Sequence, residues 1–246
     1  MADREQPEPS AAERARTTRQ RILDAAGREF ETTGYGGASV NRIIAAAGAT
    51  KGAFYHHFAS KQHLATTLLR ETLEVALPPH DLALQVIVDT GMVLAYRITR
   101  EPALRAALRL SVAYSAPTTY GTPWPDWIRL NQQQLNDAKE AGELEPYADT
   151  TMAAHQIAGA WAGLALITHA VDQSLEHFET RVGAMYKNLL TVVAKPRYVL
   201  QVDFSRDRGQ QLYEADTAAP PAVEEGMTFE GLEPMGREAT RSPQAG

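Results

Sequence analysis

Two adjacent histidines, His56 and His57, sit among aromatics and a lysine in the stretch GATKGAFYHHFASK, Gly48 to Lys61. Imidazole beside phenol and ammonium is a set that binds metals or moves protons. Neighbours on a helix diverge by about 100°, whereas metal ligands on one face need i and i+4, as in His-Glu-x-x-His. The pair therefore does not read as a metal site. His155, His169 and His177 are scattered without a matching acid or second histidine, and read as core or surface residues. The absence of cysteine removes disulfides, thiolate metal sites and a cysteine nucleophile. Gly-x-Ser-x-Gly, a phosphate loop and a dinucleotide fingerprint are also missing, so an enzyme would have neither nucleophile nor cofactor cradle. No catalytic residue, metal or cofactor is expected. The other chemistry open to these residues is that of a short helix offering polar side chains to a DNA groove.

The elements around them favour that second chemistry. Residues 1–12 hold two prolines, several charges and no apolar period, and read as a loose arm. From Arg14 a helix carries Ile22, Leu23, Ala26 and Phe30 on one stripe and ends at Gly34-Tyr35-Gly36-Gly37. Ser39 is the expected N-cap of a second helix of about two turns, with Val40, Ile43, Ile44 and Ala47 inward and a stop at Gly48. Thr50 caps a third, in which Phe54 and Phe58 face the core four residues apart and turn Lys51, Tyr55 and His56 outward. Ser60 caps a fourth, whose stripe Leu64, Leu68, Leu69, Leu73 runs to Pro78-Pro79. Three short helices with a tight glycine turn are a helix-turn-helix, whose third helix enters the major groove. Lys61 and Ser60 are placed to clamp a phosphate, and the arginines from Arg14 to Arg21 to form a phosphate-contacting arm.

Charge is distributed accordingly. The chain of 246 residues has net charge −6, but residues 11–61 carry +4 and those from Gln62 onward −8. A basic module joined to an acidic one suits a protein that touches a polyanion at one end. At 44% hydrophobic content the chain can bury a core, and it has no run of about 18 apolar residues and no signal-peptide pattern, so a soluble, cytoplasmic and nucleoid-associated protein without a membrane partner is expected. The remainder reads as long helices, Asp81–Thr99, Pro102–Ser115, Asp126–Ala141, Thr150–Leu175 and His177–Ala194, with one long loop, Ala116–Pro125. Thr150–Leu175 is apolar on most faces, a centre-of-bundle or interface helix. A last packed segment holds Tyr198 to Leu212, and the composition from Thr217 onward is that of a disordered tail.

SVNRIIAAAGATKGAFYHHFASKQHL, Ser39 to Leu64, resembles the signature of TetR-family transcriptional repressors in its Ala-Gly turn, Lys-Gly pair, Tyr-x-His-Phe and Ser-Lys-x-x-Leu. The resemblance implies an all-α homodimer with an N-terminal helix-turn-helix domain and a larger C-terminal ligand-binding and dimerisation domain. The expected boundaries are an arm at 1–12, the DNA-binding domain at 13–60, the ligand-binding domain at 61–214 and a tail at 215–246. Candidate contacts to operator DNA are Arg16, Thr18, Ser39, Asn41, Thr50, Lys51, Gly52, Tyr55, His56 and Lys61.

ALRAALRLS (Ala103–Ser111), WIRLNQQQLNDAKEAGELEP (Trp127–Pro146) and AGAWAGLALITHAVDQ (Ala158–Gln173) are similar to the γ-butyrolactone receptor subfamily. That likeness implies that Trp127, opening the helix that ends Ala-x-x-x-Gly-Glu-Leu, lines the pocket of a small hydrophobic signalling molecule. A sequence pI near 5.7 is the acidic balance of the subfamily's true receptors, where related pseudo-receptors tend to be basic. The expected pocket adds Met92, Tyr96, Val112, Tyr114, Trp124, Gln133, Trp161 and Thr168. Ligand binding is expected to shift the fourth helix, Lys61 to Leu77, and so release DNA. A repressor answering an antibiotic, a pseudo-receptor, and a helical enzyme or carrier are the alternatives.

Overall fold

The computed structural model describes residues 11–218 apart from 74, 76, 114, 115, 120 and 173. The chain there is helical: α1 Ala11–Gly37, α2 Val40–Ala46, α3 Lys51–His57, α4 Lys61–Thr72, α5 Ala83–Ile98, α6 Pro102–Ser111, α7 Ala116–Thr119, α8 Trp124–Glu140, α9 Thr150–Asp172, α10 Phe178–Val193, α11 Pro196–Val199 and α12 Arg208–Ala218. Among the described residues the only extended pairing is one bridge, Leu144 to Ala194. Residues 1–10 of the expected arm and 219–246 of the expected tail lie outside the described residues, whereas 11–12 belong to α1 and 215–218 to α12.

The N-terminal helices close around Ile22, Phe30, Ile43, Phe54, Phe58 and Leu64, all buried. Thr50 and Ser60 cap α3 and α4 with hydroxyls that accept from the N–H of Ala53 (3.1 Å) and His63 (3.0 Å). Ser39 departs from expectation, because its side chain makes no cap bond. Its N–H instead donates to Glu29 Oε1 (3.1 Å), a carboxylate that also accepts from Arg42 Nε (2.8 Å). The carboxylate satisfies the N–H of the cap residue itself through a charge-assisted bond, a different donor from those a cap hydroxyl serves. Gly48, at φ 59°, turns α2 into α3, and a Cβ there would meet the guanidinium of Arg21.

The fourth helix stops at Thr72, short of the expected Leu77; Val75 and Leu77 have no regular structure, and Pro78 disfavours helix at Leu77, the residue before it. The expected long loop holds the single turn of α7, and α8 begins two residues early, at Trp124. Helix α5 is the centre of the second layer, buried on nearly every side. Glu143, buried in the turn after α8, accepts from the N–H groups of Ala83 (2.9 Å) and Leu84 (2.8 Å), capping α5 from a distant part of the chain. Helix α12 lies along α5, held by Arg208, which forks onto the buried carboxylate of Asp89 at 2.8 and 2.7 Å.

The two layers meet where α6 packs along α1, with α4 beside it. Gly27 makes this approach possible: a Cβ at that position would stand 2.8 Å from Ala103 Cα. Arg105 Nε pairs with Glu31 at 2.5 Å, and Arg109 donates to the carbonyls of Glu31 and Thr32. Those carbonyls close the last regular turn of α1 before Gly34, whose φ of 66° breaks the helix.

Candidate nucleic-acid interface and ligand cavity

Helix α3 is anchored by one face only. Phe54 and Phe58 are buried, and Lys51, Gly52 and His56 are exposed, with Tyr55 at 50% exposure resting its ring edge-on against Phe54. Thr50 and Asn41 add exposed polar groups from the cap of α3 and from α2. The result is a ridge of ammonium, hydroxyl, amide and imidazole groups able to meet phosphates and base edges. Burial first, then the charges of His56 and Arg19, hold the His57 imidazole below the usual histidine range, favouring its neutral form. Arg16 is exposed on α1, Thr18 is half-buried there, and Ser39 is half-buried at the Glu29 corner.

Three cations expected to face phosphate do other work. Lys61 Nζ donates to the carbonyls of Tyr35 (2.8 Å) and Ala38 (3.0 Å) and stands 4.5 Å from the Tyr35 ring centroid. It closes the end of α1, because carbonyls freed by the break at Gly34 need donors and the ammonium is the nearest. Arg19 forks onto Glu71 of α4, and Arg21 donates to the carbonyls of Ala47 and Gly48.

Between α5, α6, α8 and α9, with Leu73 at the end of α4 in its wall, lies an apolar cavity of about 20 Å³. Leu94 and Ile98 come from α5; Leu104, Ala107, Leu108 and Ser111 come from α6. Trp124 and Trp127 enter from α8, Trp161 from α9, and no charged side chain lines the space. Two of the three indoles are satisfied by backbone: Trp124 Nε1 donates to Ser111 O (3.0 Å) and Trp161 Nε1 to Gly91 O (3.1 Å). Trp127 Nε1 is buried with no acceptor among the described residues, and neither does Thr122 Oγ1 have a partner there. A buried donor left unpaired costs about 1–3 kcal/mol.

The structure gathers Trp124, Trp127 and Trp161 from the expected pocket and disperses the others. Met92 and Tyr96 lie about 200° of rotation from Leu94 and Ile98 on α5: the Met92 sulfur approaches Gly183 of α10, and the Tyr96 ring packs on Tyr213 of α12. Val112 is 42% exposed just past the end of α6, and Gln133 faces solvent, bonded to Asp137 (2.9 Å). Thr168 is buried and accepts from Arg181 (2.9 Å). Tyr114 lies outside the described residues. The aliphatic walls on α5 and α6 are visible in the sequence as apolar stripes, but a stripe that faces a hole reads the same as one that faces a core.

Among the described residues no three His, Asp or Glu side chains gather as metal ligands, and no helix is long and apolar enough to cross a membrane.

Residues 22–68 match the bacterial regulatory proteins of the tetR family. The A-factor receptor protein of Streptomyces griseus is 32% identical over 193 residues, which cover 77% of this chain and 68% of that protein. Full-length native TylP, a TetR regulator from Streptomyces fradiae, superimposes with a TM-score of 0.76 at 31% identity, over 82% of this chain and 99% of that one. A γ-butyrolactone receptor described as ArpA-like gives a TM-score of 0.62 at 25% identity, over 80% of this chain and 99% of its own.

Proposed function

Because the chain belongs to the TetR family of bacterial transcriptional regulators, we propose that it is a homodimeric repressor released from its operator by a neutral, carbonyl-bearing signalling molecule of the γ-butyrolactone or butenolide kind, in control of secondary metabolism. The observation that carries the ligand class is Trp127, whose buried Nε1 has no acceptor among the described residues, in the wall of a cavity with no charged lining. Such a site rewards one acceptor on an apolar body and disfavours an anion, which would be desolvated without a counter-ion. The receptor function borne by the A-factor protein and by the ArpA-like structure supports the same class.

Residues 13–60 serve as the DNA-binding unit and 61–214 as the ligand-binding and dimerising one. Each subunit sets Thr50 to His56 into a major groove, and the dimer spans grooves about 34–36 Å apart or a multiple of it. Met152, Ile167 and Val171 of α9 and Val192 of α10 are large apolar side chains left exposed, a face suited to a second copy. Signal passes through α6, which lines the cavity with Leu108 and Ser111 and holds the end of α1 with Arg105 and Arg109. A hundredfold loss of operator affinity requires the ligand to favour the released conformation by about 2.7 kcal/mol.

A mobility-shift titration with DNA upstream of the chain's own gene and its neighbours, with and without added acyl-γ-butyrolactones, tests the reading. Retardation abolished by lactone is expected. Retardation that lactones leave intact but an antibiotic relieves would transfer the assignment to a drug-responsive repressor, and no retardation at moderate salt would overturn the DNA-binding assignment itself.

A further inference from the structure

A separate cleft of about 260 Å³, chemically unlike the Trp127 cavity, lies between α6 and α9. Its floor is apolar, made by Ile98, Leu108, Ala165, Leu166 and Leu175. Its rim is ionic, with the guanidiniums of Arg105 and Arg109, the imidazole of His169 and the carboxylate of Glu31. The floor has room for an aliphatic chain, since an apolar cavity of about 150 Å³ takes up benzene. The rim does not balance itself. Arg105 donates to Glu31 from Nε (2.5 Å) and to Ile98 O from Nη1 (3.0 Å), and Arg109 donates only from Nη1, to the carbonyls of Glu31 and Thr32. Among the described residues nothing accepts from Arg109 Nε and Nη2 or from Arg105 Nη2, and His169 is exposed without a partner. Two guanidiniums against one carboxylate leave the rim positive.

We propose that this cleft is a second ligand site, distinct from the Trp127 cavity, and that it takes an aliphatic carboxylate of the fatty-acid kind. The chain lies on Leu108, Leu166 and Leu175, and the carboxylate accepts from the unused guanidinium N–H groups at the rim, with His169 beside it. An anion is the ligand that the Trp127 cavity, without a charged lining, turns away, so the two spaces select by charge. The site is also an input to the DNA reader, because Arg109 holds the last regular turn of α1. The carboxylate uses N–H groups other than the one on the α1 carbonyls, so it orders the exposed Arg109 side chain without breaking that tie, and the ligand strengthens operator binding.

The test uses the full-length protein with hexanoate, decanoate, decanamide and decylammonium, reading binding by calorimetry and operator affinity by mobility shift. Decanoate should bind at least about tenfold more tightly than hexanoate, given roughly 0.8 kcal/mol per buried methylene, and about tenfold more tightly than decanamide, which keeps the chain and lacks the charge. Decylammonium should not bind. His169→Glu reverses the charge at an exposed rim position, and Leu166→Glu sets a carboxylate on the floor from a side chain already 39% exposed. Each should weaken decanoate at least about fivefold, the equivalent of roughly 1 kcal/mol of like-charge repulsion, with thermal unfolding confirming that both variants fold. Failure of decanoate to bind, equal binding of decanamide, or unchanged affinity in both folded variants overturns the inference. Unchanged affinity joined to loss of the dimer in Leu166→Glu would give the cleft to a second copy of the chain instead. Saturating decanoate should tighten operator binding by the wild-type protein, and an unchanged or weakened complex would overturn the role as an input. None of these readouts uses a lactone, so the outcome is independent of the Trp127 cavity.

Discussion

Among the described residues nothing accepts from the Trp127 indole N–H, and that makes its role separable from its packing. Trp127→Phe keeps an aromatic wall and deletes the orphan N–H. Lactone affinity should fall about tenfold, near the 1–1.5 kcal/mol of one net hydrogen bond, while the denaturant midpoint without ligand stays level or rises, since a buried unsatisfied group has been removed. Fluorescence from the remaining tryptophans and urea melts check the two halves. Lys51 and Lys61 divide in a similar way. Lys51→Ala should weaken operator binding and reduce the salt slope by about one, whereas Lys61→Met should lower the thermal midpoint by loosening the Tyr35–Ala38 turn and leave the slope unchanged. His57 brings a pH dependence. Its folded pKa lies below the ordinary histidine value because of burial and of the charges of His56 and Arg19. Its share of stability is therefore complete above that ordinary value and is lost as the pH falls through the lowered one. Melts from about pH 7 to pH 5 should show this loss, and His57→Gln should flatten it.

Among the elements, α4 and α6 both pack against α1 and both reach the cavity, α4 through Leu73 at its end, and α6 also carries Arg105 and Arg109 to the end of α1. The seam where α1 and α6 run together depends on Gly27. Gly27→Ala gains helix propensity but forces the backbones apart, and overpacking of this kind costs about 1–3 kcal/mol. The expected outcome is a lower unfolding midpoint together with a weaker effect of lactone on operator binding, read by calorimetry and mobility shift. Gly27 is unremarkable as sequence, one glycine on an amphipathic helix; only the position of Ala103 gives it meaning. The same holds for Glu143, whose cap on α5 joins residues 60 apart in the chain.

For the whole molecule, the exposed apolar side chains of α9 and α10 are the strongest mark of assembly. Ile167→Lys should turn a dimer into a monomer in light scattering and abolish tight operator binding, since one helix-turn-helix contacts only a half-site. The amino-acid sequence by itself determined the helix-turn-helix, its caps at Thr50 and Ser60, the inward phenylalanines and the outward Lys51 and His56, because these follow from spacing within a few turns. It likewise marked Trp127 through its family likeness, and the long apolar α9. Tertiary structure alone decided that Lys61, Arg19 and Arg21 serve backbone and carboxylate, that Met92 faces α10 and Tyr96 α12 while Leu94 and Ile98 face the cavity, and that α6 touches both the cavity and the end of α1. Each of these depends on which faces of distant helices meet. Local periodicity fixes that a face is buried, and long-range packing selects the partner against which it is buried.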